Sequence, residues 1–292
     1  MPLSRAQFQS ELIPGLKALI GLEYKDREKE WSDIFKVETS QRNFEEIQKL
    51  VGLGRAAVKP EGESVTFDEQ AGESWKARFT HQTYSLGFIL TEEAIEDNLY
   101  DSLGKRYSKQ LGRSMAKTKE YVAANVLNLG FNSSYTGGDG QPLFSATHPT
   151  ASGINISNYS AIGTDLNEAT LENAIIQIAG WTDERGMIIA VKGRKLVIPP
   201  SLQFIAKRIL GSEYRPGSAD NDINASRAMG VLPEGFAVTH YLTNPQSWFI
   251  LTDVPEGLMM FQRVKMEVKN EGDFNTGNIR FKARERYSVG WA

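Results

Sequence analysis

The chain carries three imidazoles, His81, His148 and His240. They stand far apart, so no two have the local spacing of a metal site. His148 meets Asp139 only if the chain folds them together. The simpler expectation is a loop histidine hydrogen-bonded to its own turn. His81 falls in a strand-rich run and His240 near a strand end, where packing or interface roles suffice. A serine–histidine–acid triad can assemble from distant positions, but nothing local supports one. The absence of cysteine excludes disulfides, thiolate catalysis and cysteine-ligated metal. Gly52-Leu53-Gly54 lacks the third glycine of a dinucleotide fingerprint, and no phosphate-binding P-loop, nucleophile elbow or H-E-x-x-H pair occurs. Gly137-Gly138-Asp139-Gly140 offers backbone N–H groups to an anion, yet a tight turn needing positive φ explains the same glycines. Glu92-Glu93 reads as charge on a helix's first turn. These residues lead to the expectation of no catalytic residue, no cofactor and no metal.

The whole chain agrees. Its 292 residues allow one large domain or two ordinary ones. With 33 basic and 36 acidic side chains the net charge is −3, which lacks the signature of a dedicated nucleic-acid binder. No apolar run reaches about 18 residues, and no apolar signal core follows the first residues, so neither a membrane span nor a secretory signal is expected.

The elements follow from periodicity. Leu12, Leu16, Leu19 and Ile20 have helical spacing, but Pro14 and Gly15 argue against a long helix through them. Trp31, Ile34 and Phe35 form a small apolar cluster. Ser64-Val65-Thr66-Phe67-Asp68 and Trp75-Lys76-Ala77-Arg78-Phe79-Thr80 alternate polar with apolar residues around a turn at 69–74, which predicts a projecting antiparallel hairpin. From Thr91, as cap, a helix is predicted to Gly130, with Ile95, Leu99, Leu103, Tyr107, Leu111, Met115, Val122, Val126 and Leu129 inward. Lys105, Arg106, Lys109, Arg113, Lys117 and Lys119 are assigned to its solvated face, with nucleic-acid contact as the alternative. Helices are expected from Leu166 to Asp183 and from Ser201, as cap, to Leu210, and strands over Met187 to Ile198. The remainder reads as strands.

This order resembles the major capsid proteins of tailed bacteriophages, with the Hong Kong 97-type fold, and most nearly the Mu-type major head subunits. The resemblance rests on Thr83-Tyr84-Ser85-Leu86-Gly87-Phe88, on Tyr135-Thr136-Gly137-Gly138-Asp139-Gly140-Gln141-Pro142-Leu143-Phe144-Ser145 with His148-Pro149, on Val197-Ile198-Pro199-Pro200 and Asn221-Asp222-Ile223-Asn224-Ala225, on His240-Tyr241-Leu242-Thr243-Asn244-Pro245-Gln246-Ser247-Trp248-Phe249, and on Glu285-Arg286-Tyr287-Ser288-Val289-Gly290-Trp291. It implies an α+β fold with an N-terminal arm (1–50), an extended hairpin loop (51–90), a peripheral domain with a long spine helix (91–165), an axial domain (166–260) and returning peripheral strands (261–292). The implied function is a head protein that self-assembles as pentamers and hexamers into an icosahedral shell around double-stranded DNA. The implied partners are a portal protein and a separate scaffold or protease, with DNA held by weak non-specific contact and no membrane. The implied place is the virion capsid, assembled in the host bacterial cytoplasm. Phe67, Trp75, Lys76, Arg78, Trp31 and Phe35 are the expected subunit-interface residues. Lys59 and Lys76 read as solvent or salt-bridge residues rather than cross-linking ones. An encapsulin-type compartment shares the implied fold, and a scattered-triad hydrolase is the enzymatic alternative.

Overall fold

The computed structural model describes residues 6–68, 72–96, 100–150, 153–160, 163–215 and 222–292, without the side chains of 6–14, 95–96 and 100–102. Residues 69–71 of the expected turn at 69–74, the side chains of Leu12 and Ile95, and residues Leu99 and Asn221 lie outside this description, while Gly72, Glu73 and Ser74 of that turn belong to a strand.

The helices are α1 (Ala6–Lys25), α2 (Glu92–Glu96), α3 (Tyr100–Asn128), α4 (Glu168–Ala179), α5 (Gln203–Gly211) and α6 (Ala225–Ala228). The strands are β1 (Lys36–Thr39), β2 (Phe44–Val51), β3 (Gly72–Thr80), β4 (Gln82–Leu90), β5 (His148–Pro149), β6 (Asn155–Ile156), β7 (Gly193–Ile198), β8 (Phe236–Val238), β9 (Phe249–Thr252), β10 (Leu258–Gly272) and β11 (Ile279–Trp291).

Two layers form the body. One is a four-stranded sheet in the order β1-β10-β11-β4, parallel at β1–β10 and otherwise antiparallel. The other is the pair α1 and α3. The 29 residues of α3 span about 43 Å at the usual helical rise. Alternation along β11 points Phe281, Ala283, Glu285 and Tyr287 inward. Ile20, Leu111, Met115 and Ala283 form one core cluster there, and Leu16, Leu90 and Phe281 another. The helix α1 runs through Pro14 and Gly15, against the expectation of a break. The proline removes one backbone donor, but Ile20 is fully buried and Leu16 nearly so. Tertiary packing therefore outweighs the local cost. An added Cβ on Gly112 would lie 2.6 Å from the Ile20 carbonyl oxygen, so the glycine permits the close approach of α1 and α3.

The second unit has a three-stranded sheet in the order β8-β7-β9. Its core joins Leu166 and Leu171 to Leu196, Ile198, Leu202, Ala206, Ile209 and Leu232. Asn167 caps α4 in a reciprocal pair with Thr170. Ser201 is not the expected cap. It lies in a 3-10 turn, and its hydroxyl donates to the Pro245 carbonyl. A further cluster unites the two units: Trp31, Ile34, Phe35, Ala123 and Leu127 pack with Val197, Leu242, Leu251 and Met260.

The hairpin is real, but its first strand is not the expected one. β3 pairs antiparallel with β2, not with residues 64–68. Ile47 faces Ala77, which gives the pair an inward side. Residues 52–68 instead form an irregular excursion. Gly52, Gly54, Pro60 and Gly62 interrupt any ladder there, and Gly62 has positive φ.

Candidate assembly surfaces

The hairpin presents two unlike sides. Ala77 and Phe79 point inward onto Met259 and Phe261, and the Phe79 and Phe261 rings meet edge to face at 5.0 Å. Lys76 and Arg78 point outward and are exposed. Arg78 lies 3.8 Å from the Phe44 ring centroid and 3.8 Å from Glu46. Trp75 is half-buried, with the Lys49 ammonium 4.1 Å from its ring centroid. Phe67 is 84% exposed, accompanied on the excursion by exposed Leu53, Val58 and Val65. Four large apolar side chains of the excursion therefore stand in water. Trp31 and Phe35 do not join them. The structure buries both in the chain's own core, where the aromatic cluster they were expected to lend to a neighbour closes over α3.

The excursion is held back on the body by the turn after α4. The Asp183 carboxylate accepts from the backbone N–H groups of Arg185 and Met187 at 2.8 Å each. That aims Arg185 at Asp68, which it grips with two bonds of 2.7 and 3.0 Å. The Gly54 N–H also donates to Asp68 at 2.7 Å. Lys49 reaches the neighbouring Glu184 at 3.3 Å. Replacing Arg185 by alanine should speed proteolytic cutting within 52–68 while changing unfolding free energy by less than about 1 kcal/mol. An unchanged cutting rate would place the hold elsewhere.

The glycine-rich loop braces the hairpin from the other side. The Gly137 N–H donates to the Gln141 carbonyl at 2.8 Å, and Asp139 accepts from the Gln141 N–H at 3.0 Å. Gly140 alone in the motif has positive φ. Gly138 lies against the backbone of Lys76 and Ala77. His148 Nδ1 sits 2.6 Å from Asp139 Oδ2, as expected for a histidine bonded to its own loop.

A buried polar network lies inside the body, between α1, α3, β10 and β11. Lys119 and Glu285 form an ion pair at 2.6 Å, both almost fully buried. The Tyr24 hydroxyl lies 2.9 and 3.0 Å from the two Glu285 oxygens, and the Gln262 amide donates at 3.0 Å. The Lys119 ammonium also lies 4.5 Å from the Trp31 ring centroid and 5.0 Å from that of Tyr287. Burial lowers the Lys119 pKa, and Glu285 opposes the shift. Lys119 is therefore not on the solvated face assigned to it. The other basic residues of α3 do lie outward, and Lys109 and Arg113 both meet Glu23 of α1, at 4.0 and 3.0 Å.

Glu120 accepts from the Trp31 N–H at 3.0 Å. Burial pushes its pKa up to about 7, partly offset by backbone hydrogen bonds from Trp31 and Glu30. The folded chain thus holds a proton that the unfolded chain releases at lower pH, so this group's contribution fades as pH rises from its unfolded value to about 7. Glu120→Gln should flatten the fall in thermal stability between about pH 5 and 8. An identical profile in the variant would remove Glu120 as its source.

The histidines lack the geometry of a triad. His81 sits between the hydroxyls of Ser40 and Ser288, and the nearby Glu45 accepts from Ser40, not from the imidazole. His240 meets Glu30 at 2.6 Å. No group of three or more potential metal ligands occurs among the described residues. No helix among them is long and apolar enough to cross a membrane.

A family model for phage capsid proteins matches residues 76–292. Among solved structures, the virus-like particle from Pyrococcus furiosus aligns over 95% of this chain and 94% of its own, with a TM-score of 0.55 at 10% identity. The capsid of bacteriophage JBD30 aligns over 73% and 90%, with a TM-score of 0.54 at 14% identity. A chain of Mycobacterium phage Che8 aligns over 89% and 86%, with a TM-score of 0.53 at 14% identity. No curated protein matches. The distant structures share the α+β, Hong Kong 97-like fold, and the family match covers the end of β3, the helix α3, the glycine-rich loop, the three-stranded sheet and all of the four-stranded sheet except β1. The chain belongs to the phage capsid protein family and is a major capsid shell protein.

Proposed function

We propose that copies of this chain close as pentamers and hexamers into an icosahedral shell around double-stranded DNA, with no catalytic role. One observation carries the reading furthest. A capsid-family chain carries a hairpin whose excursion, though tied to the body at Asp68, leaves Leu53, Val58, Val65 and Phe67 in water. Such a segment needs a partner surface, and a shell supplies one at every subunit. Phe67, Trp75, Lys76 and Arg78 make the contact. Residues 1–50 serve as the arm and 51–90 as the extended loop. Residues 91–165 with 261–292 form the peripheral domain, and 166–260 the axial domain. A portal protein and a separate scaffold or protease act with it in the bacterial cytoplasm, and DNA touches the wall weakly. Electron microscopy of the expressed protein with its neighbouring head genes tests this. Closed particles with five-fold vertices are expected. A subunit that stays monomeric under those conditions would overturn the reading, and particles filled with an enzyme instead of DNA would favour a compartment.

A further inference from the structure

Both strands of the hairpin are continuations of body strands. β1 passes into β2 through residues 40–43, and β3 passes into β4 through His81 alone. The angle of the hairpin is therefore set at two short crossings. The imidazole of His81 joins them. Its Nε2 lies 2.9 Å from Ser40 Oγ on the first crossing, and its Nδ1 lies 3.0 Å from Ser288 Oγ on β11. His81, Ser40 and Ser288 are each less than a tenth exposed. The His81 N–H also donates to the Asn43 carbonyl at 3.4 Å, and Arg286 donates to the Asn43 side chain.

Hydrogen counting fixes the roles. Ser40 gives its one hydroxyl hydrogen to Glu45 at 2.6 Å and accepts from the Arg42 N–H at 3.1 Å. Nε2 must therefore donate to Ser40, which leaves Nδ1 to accept from Ser288. The neutral imidazole matches this chain of bonds donor to acceptor. A second N–H at Nδ1 would force the Ser288 hydroxyl to turn round and accept, taking from its hydrogen the imidazole acceptor it now has, beside the Arg286 cation.

We propose that His81 is the pin of a joint that sets the angle between the hairpin and the body, and that protonating it unlocks the joint. Facing it are Glu45 on β2, Arg286 on β11 and Arg263 on β10. Burial and Arg286 lower the pKa, Glu45 opposes, and Arg263 adds to the lowering. The sign follows. The joint is made at and above the ordinary imidazole range and is lost as pH falls through the depressed value of the folded state. The hairpin then lifts from Met259 and Phe261 and its lone two-stranded ladder frays in water, while the core beneath α3 stays packed.

Hydrogen exchange in unassembled subunits at about pH 7.5 and pH 5 tests the joint. After correction for intrinsic rates, wild-type protection of β2 and β3 should fall roughly tenfold at the lower pH, while α3 and β11 hold theirs. His81→Gln, which can donate and accept without titrating, should keep the hairpin protected at both values. His81→Phe should leave it unprotected at both. If that variant fails to fold, Ser288→Ala, which removes only the body-side bond, should give the same loss at pH 7.5. Wild-type exchange without a pH step, or full protection in both Ser288→Ala and His81→Phe, would overturn the proposal. The exchange readout is made on unassembled subunits and does not rest on the shell reading, so the two can fail separately.

Discussion

Lys119→Ala is expected to cost about 3–5 kcal/mol of unfolding free energy, because it strands a buried carboxylate. Glu285 lies under the sheet, almost fully buried and 2.6 Å from the Lys119 ammonium. Its other donors, Tyr24 and Gln262, are neutral. Coulomb attraction across so short a gap offsets much of the cost of removing both charges from water. Removing the cation leaves that cost uncompensated. Glu285→Gln should also destabilise, by leaving an unpaired ammonium against Trp31 and Tyr287. The pair Lys119→Met with Glu285→Gln should recover at least half of the loss, since the glutamine carbonyl still accepts from Tyr24. Urea unfolding of the three variants measures this. A single-variant loss under about 1 kcal/mol, or no recovery in the double, would show that the charges are solvated and not locked together.

The network was hidden in a regular pattern. Leu111, Met115, Lys119, Ala123 and Leu127 form a strict four-residue series of buried positions on α3, flanked by buried Ser108, Glu120 and Ala124. Sequence reading followed it to Met115 and then moved to Val122, Val126 and Leu129, which are only half-buried. It did so because a lysine in an apolar stripe looks like the edge of the stripe. The matching signal was Glu285, the one acid in the inward series Phe281, Ala283, Glu285 and Tyr287. Each charge alone reads as surface; only their meeting across 166 residues makes them core. The hairpin fails for a different reason. Residues 64–68 alternate as well as 44–51 do, and the nearer segment wins any local argument. What selects β2 is the neighbour of its inward face, since Ala77 and Phe79 already sit on Met259 and Phe261. Periodicity gave the capped helix start at Thr91 and the helix that becomes α4, where one amphipathic side meets one core.

Gly138→Val is expected to abolish shells while leaving a folded subunit. A Cβ there would lie 2.5 Å from the Lys76 carbonyl oxygen, 2.7 Å from its carbon and 2.8 Å from the Ala77 nitrogen. All three atoms are backbone, so no side chain can turn aside. The glycine-rich loop must lift off β3, at about 1–3 kcal/mol for the overpacking. Gly140 is the control. It alone in the motif has positive φ, and its Cβ would meet nothing within 4 Å. Gly140→Ala should therefore cost only the conformational strain, about 1–2 kcal/mol, and still assemble. The two glycines thus separate subunit stability from the seating of the hairpin. A closed shell repeats that seating at every subunit, and each ~1.4 kcal/mol lost per contact is a tenfold weakening. A defect that one subunit tolerates therefore compounds around each ring. Sedimentation and negative-stain imaging beside a thermal melt will distinguish the outcomes. Gly138→Val should melt as one cooperative unit at a lower temperature and sediment as free subunits. Particles of normal size from this variant would mean that the loop does not set the hairpin's position.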